Sequence, residues 1–320
     1  MKISILGTGK IAQEVISVLR AEAPEIELTS IFAHSKGSED KARELARTFA
    51  IEHVYTDYDE LLSHDDADFI YVGLVNTAHY EFAKKALLHG RNIIVEKPFT
   101  THYSEAQELA ELARKKSLWL FEAVTTLHFP NYKLVQTLIK DIAPVRLIQC
   151  NYSQYSSRYD RYLRGDVAPA FNPQLGGGSQ NDLNIYNVNA VVGLMGKPEK
   201  TTYYPNKGFN GVDTSGILVM EYPDAKAVCT SAKDSSSPSF IIIQGEKGTI
   251  EIPTPPNEIG KVTATIHGVT TEHQKNRYQS RLVHEFKDFE DMWERNDYKS
   301  MNHYLDLSLD VMETMEMLRP

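Results

Sequence analysis

The sequence predicts two domains: an α/β domain with a parallel sheet over residues 1–121, and a sheet-rich α+β domain over residues 122–320. Three observations carry this. At 320 residues the chain is longer than one hydrophobic core usually serves. Its first third alternates short apolar strands with helix-period segments, the grammar of βαβ units. Beyond that point strands follow strands through tight turns, the grammar of an antiparallel meander.

The strand candidates of the first domain are 2–6, 28–33, 69–72, 93–95 and 118–121. Between them lie apolar stripes at helical spacing. Ile11, Val15, Val18 and Leu19 form one; Phe82, Ala83, Ala86 and Leu87 form another, ended by Gly90. A third runs through Ala106, Leu109, Ala110 and Ala113, with Ser104 and Gln107 as a predicted capping box. In the second domain 145–152, 216–222, 226–231 and 240–244 read as strands, interrupted by a helix at 181–195. Two helical patterns close the chain, one through Leu282, Phe286, Phe289 and Trp293, the other through Leu305, Leu309 and Met312. The segment 154–178, rich in Tyr, Arg, Pro and Gly, reads as an irregular loop near a site.

Composition narrows the function. A formal charge of -9 repels phosphate backbones and argues against nucleic acid as a partner. Cys150 and Cys229 have no metal-ligand spacing and lie in strand-like runs, so they read as buried reduced thiols, with no metal site. No signal-like segment precedes the first strand and no apolar run reaches membrane-spanning length. The expectation is a cytoplasmic protein with no membrane partner.

Gly7-Thr8-Gly9-Lys10-Ile11-Ala12 follows a strand and opens a helix. Gly7 permits the tight turn, Gly9 lets a pyrophosphate approach the backbone, and Ala12 allows close helix–strand packing. The helix N-terminus then faces the phosphate charge. This is the fingerprint of a Rossmann dinucleotide-binding domain, with Gly7, Gly9, Lys10 and Ile11 against the cofactor. NAD enzymes usually carry an acid at the end of the second strand to bind the ribose 2′-hydroxyl. Here that strand ends Phe32-Ala33-His34-Ser35-Lys36, with no acid before Glu39. His34, Ser35 and Lys36 suit a 2′-phosphate better, so NADP is favoured and NAD is the alternative.

Around Ile93-Ile94-Val95-Glu96-Lys97-Pro98-Phe99 the sequence resembles the Gfo/Idh/MocA oxidoreductases. The resemblance runs through the glycine turn, Asn76, His79, Tyr80, and Glu122-Ala123. It continues through Gly176-Gly177-Gly178 with Asp182 and Tyr186, and ends with 243–250. It implies a Rossmann domain plus an α+β domain with a large open antiparallel sheet. It implies hydride transfer between a nicotinamide cofactor and a sugar, polyol or related hydroxy or carbonyl compound. Lys97, Asp182 and Tyr186 would be the catalytic group, with Asn76, His79, Glu96 and Lys97 beside the cofactor. The resemblance also raises the expectation of a cis Lys97–Pro98 bond, and of a homodimer or higher homo-oligomer formed through the uncovered sheet face. Two departures from the family pattern stand out. Val75 stands where proline is common, and Thr125 and Leu127 stand where some members carry Trp and Arg.

The chemistry fits the residue types. Moving a hydride to or from an alcohol carbon requires a partner for the hydroxyl proton. A tyrosine serves if a cation favours its phenolate. Lys97 ends a short apolar strand, at the carboxyl edge where α/β sheets bind ligands. Asp182 and Tyr186, spaced i,i+4, would share one helix face with Asn189 a turn further. Each residue also has a plainer reading: a turn at Lys97, a helix cap at Asp182, packing at Tyr186. His79 could orient a ligand or cap its helix. Arg158, Arg161 and Arg164 could meet an anionic or polyhydroxylated substrate, or simply be solvated. Two other functions fit the same fold: a non-catalytic dinucleotide-binding regulator, and a redox-neutral enzyme with tightly held NAD(P).

Overall fold

The computed structural model describes residues 1–318. The described chain divides into two compact units, one comprising 1–123 and 278–309, the other 124–277 and the residues from 310 on. After residue 277 the chain returns to the first unit as far as residue 309, because the apolar stripe of the helix at 281–294 packs there, whereas sequence order alone had placed this stretch with the second domain.

The first unit is built on six parallel strands: β1 (Lys2–Leu6), β2 (Glu27–Phe32), β3 (His53–Tyr55), β4 (Phe69–Val72), β5 (Asn92–Glu96) and β6 (Leu120–Ala123), in the order β3-β2-β1-β4-β5-β6. This is the doubly wound order whose crevice opens at the carboxyl ends of the strands, where the order reverses between β1 and β4. The sequence reading missed β3, which is three residues long and only half-buried, too short to show a period. Helices α1 (Lys10–Glu22), α2 (Lys36–Phe49), α3 (Tyr58–His64), α4 (His79–Leu88) and α5 (Tyr103–Lys116) connect the strands. α5 starts earlier than the predicted cap. His102 is its N-cap, and the Glu105 carboxylate accepts from the backbone N–H groups of Thr101 and His102 at 3.1 and 3.0 Å. Glu105 outcompetes Gln107 because a carboxylate satisfies two orphan donors at once.

The second unit begins with α6 (Thr125–His128) and α7 (Pro130–Leu138), and its sheet has eight strands. They are β7 (Val145–Ser153), β8 (Lys200–Lys207), β9 (Asp213–Glu221), β10 (Lys226–Ala232), β11 (Phe240–Gly245), β12 (Gly248–Ile252), β13 (Val262–Ile266) and β14 (Val269–His273). The order is β14-β13-β12-β11-β7-β10-β9-β8. All neighbours are antiparallel except β7 and β10. The simple meander therefore fails at the centre. The chain leaves β7 through α8 (Tyr159–Leu163) and α9 (Ile185–Met195), enters at the far edge as β8, and reaches β10 beside β7 running the same way. β8 carries Pro205 and is an edge strand, where a missing N–H does no harm. The β13–β14 hairpin turns through His267 and Gly268, both at positive φ (48° and 81°), the conformation a two-residue turn requires.

One face of this sheet buries Ile148, Cys150, Ala227, Cys229, Leu218 and Ile243, with α9 packed on β7 and β10. Cys150 and Cys229 are register partners and both buried; the hydrogen bond between the two thiols, and then burial, push the Cys229 thiol up. The opposite face leaves Leu147, Ile217 and Tyr204 exposed at 42%, 45% and 62%. The two remaining helices are α10 (Arg281–Glu294) and α11 (Tyr298–Glu316).

Candidate functional site

In the first unit the glycine turn has the form a dinucleotide needs. Gly7 sits at φ +108°, and a Cβ there would come within 2.6 Å of the Gly73 carbonyl. Gly9, by contrast, faces open space, with nothing within 4 Å of a built Cβ. It is the N-cap of α1 and has no side chain to cap it; the first turn holds no acid, and Gly9 and Lys10 are exposed. The turn therefore presents backbone N–H groups and an uncontested helix dipole to an anion, with Ile11 half-buried behind.

At the end of β2, His34 packs edge-on against Phe82 with ring centres 5.3 Å apart. Ser35 is the N-cap of α2, and its N–H donates to the Ser38 hydroxyl at 3.0 Å. Ser35 and Lys36 are exposed. An exposed hydroxyl residue and an exposed lysine thus stand at the N-terminus of α2, directly after β2. Asn76 lies in the 3-10 turn Asn76–Ala78 that leads into α4.

Lys97 follows β5, and the Lys97–Pro98 bond is cis. The residues around it are held from below. Tyr71 donates to one Glu96 oxygen at 2.7 Å, and the Lys97 N–H donates to the other at 3.1 Å. Both Glu96 oxygens therefore hold protein groups, which makes this residue a brace for the strand end. His79 is fully buried, with one ring nitrogen 3.0 Å from the Pro98 carbonyl and the other 3.2 Å from that of Leu74. Burial holds its pKa down, so the ring is neutral and its single N–H donates to one of these two carbonyls.

Beneath them lies a group of buried acids. Burial pushes the Glu96 carboxyl up, pushes Glu122 up to about 7, and pushes Glu285 well up. Neither oxygen of Glu285 has a hydrogen-bond partner. The sequence reading passed over Glu285, although it lies among Leu282, Phe286 and Phe289 on the buried side of α10.

In the second unit, Gly176-Gly177-Gly178 leads into a π turn, Gln180–Asn184, that runs into α9. A Cβ on Gly177 would meet the Pro169 carbonyl at 2.5 Å. Asp182 sits inside the π turn and is not the cap. Asp213 on β9 takes that task, accepting from the Gln180 N–H at 2.6 Å. Asp182 instead accepts from Lys233 Nζ at 2.7 Å. Nothing in the sequence analysis singled out this cation. The signal was present: the alternation Ala227, Cys229, Ser231, Lys233 places Lys233 on the inward face. The π turn also alters the i,i+4 argument, because its wider winding breaks the even face assumed for Asp182 and Tyr186. Tyr186 is 7% exposed, its ring 6.0 Å from that of Tyr152. Asn189 is buried and donates to the Ile185 carbonyl at 2.9 Å, so it serves the helix itself.

The segment 154–178 is less irregular than expected. α8 and two short 3-10 turns fold it around Tyr162, Phe171 and Val212. Arg158, Arg161 and Arg164 are exposed, and Arg161 pairs with Asp166. Thr125 and Leu127 are buried; Thr125 donates to the Asn257 carbonyl at 3.0 Å.

The strand order, the bare glycine turn and the strand-end lysine define the class: a dinucleotide-binding oxidoreductase of the Rossmann type. Residues 1–124 match the oxidoreductase family with an NAD-binding Rossmann fold, GFO/IDH/MocA, and residues 132–251 match the GFO/IDH/MocA C-terminal domain. The chain belongs to this family and is an NAD(P)-dependent oxidoreductase. Among its relatives, scyllo-inositol 2-dehydrogenase (NADP(+)) IolU of Bacillus subtilis is 32% identical over 254 residues, 79% of this chain and 76% of that protein. Trans-1,2-dihydrobenzene-1,2-diol dehydrogenase of Xenopus tropicalis is 31% identical over 262 residues, 79% of this chain and 75% of that protein. The fold matches KijD10, a 3-ketoreductase from Actinomadura kijaniata in complex with NADP and TDP-benzene, with a TM-score of 0.81 and 21% identity, covering 98% of this chain and 94% of that one. Among the described residues no cluster of His, Cys, Asp or Glu could hold a metal ion, and no helix is long and apolar enough to cross a membrane.

Proposed function

We propose that the protein uses NADP to interconvert a hydroxyl and a carbonyl on a polyol or sugar, with Lys97, Asp182 and Tyr186 as its catalytic residues. The observation that carries the cofactor choice is the exposed Ser35–Lys36 pair at the N-terminus of α2, with no acid at the end of β2. The substrate class rests on IolU, an inositol dehydrogenase with NADP. When bound, the nicotinamide supplies or accepts the hydride. The chain's own residues handle the rest. Gly7, Gly9, Lys10 and Ile11 hold the pyrophosphate end, and His34, Ser35 and Lys36 the 2′-phosphate. Asn76 belongs to the same carboxyl edge, while Glu96 and His79 keep Lys97 and Pro98 in place through the backbone.

In the oxidative direction Tyr186 takes the hydroxyl proton; in the reductive direction it returns that proton to the carbonyl oxygen. The Lys97 ammonium favours the phenolate and donates to the same oxygen. Asp182 orients a neighbouring hydroxyl. The test is a screen of inositols, sugars and dihydrodiols with NADP and NAD in parallel. Oxidation of at least one polyol faster with NADP supports the reading; turnover restricted to NAD overturns the cofactor choice.

The open face of the eight-stranded sheet supports a homo-oligomer. Ile217 pairs with Tyr204 on β8 and Thr230 on β10, and Val219 pairs with Val228, giving a continuous partly apolar surface. A second copy of the same face would bury it. The cytoplasm is the compartment that suits an enzyme with two reduced thiols and a soluble cofactor.

A further inference from the structure

The structure assigns Lys233 as the positioning residue of Asp182, and as the tie between that carboxylate and segment 154–178. This rests on Asp182 acting on substrate, as proposed above. Lys233 is the first residue past β10, and its N–H donates to the Thr214 carbonyl at 2.8 Å. Its side chain is 3% exposed. Nζ donates to Asp182 Oδ2 at 2.7 Å and to the Ala170 carbonyl at 2.7 Å, and it lies 4.5 Å from the Phe171 ring centre.

A buried ammonium is costly unless its partners are fixed. Here the partners are unequal: Asp182 keeps 37% of its side chain exposed while the lysine is enclosed. An ion pair made only for packing has no need to raise one member to the surface. This one delivers a positive charge from inside the unit to a carboxylate that reaches solvent. The other acids near Lys233 are engaged elsewhere. Asp213 caps the π turn and accepts from Tyr203 at 2.7 Å; Asp234 accepts from Thr214 and Ser215 at 2.7 and 2.9 Å. The π turn holds Asp182 by backbone bonds of irregular spacing, which leaves its aim dependent on a side-chain partner. Through Ala170 and Phe171 the same ammonium fixes the segment whose glycine end leads into that turn. Carboxylate and segment are therefore set together by one cation.

The test is a double-mutant cycle of Lys233→Met and Asp182→Asn, read with scyllo-inositol and NADP, or with the compound the screen returns. Lys233→Met is expected to lower kcat about 10- to 100-fold with NADPH affinity unchanged, and the double variant to be no slower than the slower single one. Limited trypsin digestion needs no substrate: cleavage at the exposed Arg158, Arg161 and Arg164 is expected to quicken about 10-fold in Lys233→Met. Near wild-type turnover in Asp182→Asn would overturn the assignment of Asp182 itself. An impaired Asp182→Asn with a normal or independently additive Lys233→Met would overturn the assignment of Lys233, as would an unchanged trypsin rate. If Lys233→Met does not fold, Lys233→Gln, which keeps a donor without the charge, is judged by the same criteria.

Discussion

Glu122 lies in β6 with 4% of its surface exposed, and its Oε1 accepts from the Phe99 N–H at 3.0 Å. Burial raises its pKa from the ordinary 4.5 to about 7, with the nearby Glu96 charge adding to the rise. A group raised on folding stabilises the fold fully below its unfolded pKa, and that stability is lost as pH rises through the folded value. At about 1.36 kcal/mol per pH unit, the interval from 4.5 to about 7 corresponds to about 3 kcal/mol. Of this, about 2.5 kcal/mol falls between about pH 5 and about pH 8. Glu122→Gln keeps an oxygen for the Phe99 N–H and cannot ionise. Urea unfolding of both proteins without cofactor, at steps from about pH 5 to about pH 8, isolates the effect, because Glu96 and Glu285 remain in each. The variant is expected to gain about 2.5 kcal/mol on wild type across that range, most of it as pH rises toward 7. A stability gap that stays constant with pH would refute the argument.

Tyr186→Phe and Lys97→Met are each expected to reduce turnover about 10²- to 10⁴-fold with NADPH affinity little changed, and Asp182→Asn to reduce it less; a near-normal Tyr186→Phe would make the tyrosine a packing residue. Lys36→Asp is expected to move preference from NADP toward NAD, read by titrating both cofactors, because it puts an acid where the 2′-phosphate would lie. Gly7→Ala is expected to abolish cofactor binding in a fluorescence titration, since its Cβ would press on the Gly73 carbonyl in a conformation that alanine avoids. Light scattering is expected to report an oligomer, and Ile217→Glu on the open sheet face to shift it toward monomer; a wild-type monomer at micromolar concentration would refute that reading.

By itself the sequence determined what depends on local pattern. Alternating strands and helices announced the parallel sheet, because the two periods are set by the backbone. The glycines announced the turn, because only a residue without Cβ tolerates φ +108° beneath the Gly73 carbonyl. The strand-end lysine, the glycine run before Asp182 and the residues after β2 were legible for the same reason: each is a short spacing with a local cause. What the tertiary structure alone decided depends on partners distant in the chain. β10 lies parallel to β7 because of the route taken between them. Asp182 is held by Lys233, 51 residues away, and is spared from capping by Asp213, 31 residues on. Glu96 and His79 turned inward to hold the backbone because Tyr71, Pro98 and Leu74 surround them. Glu122 and Glu285 acquired their proton affinity from burial, a property no sequence window contains, because it arises only when separate elements close over the same volume.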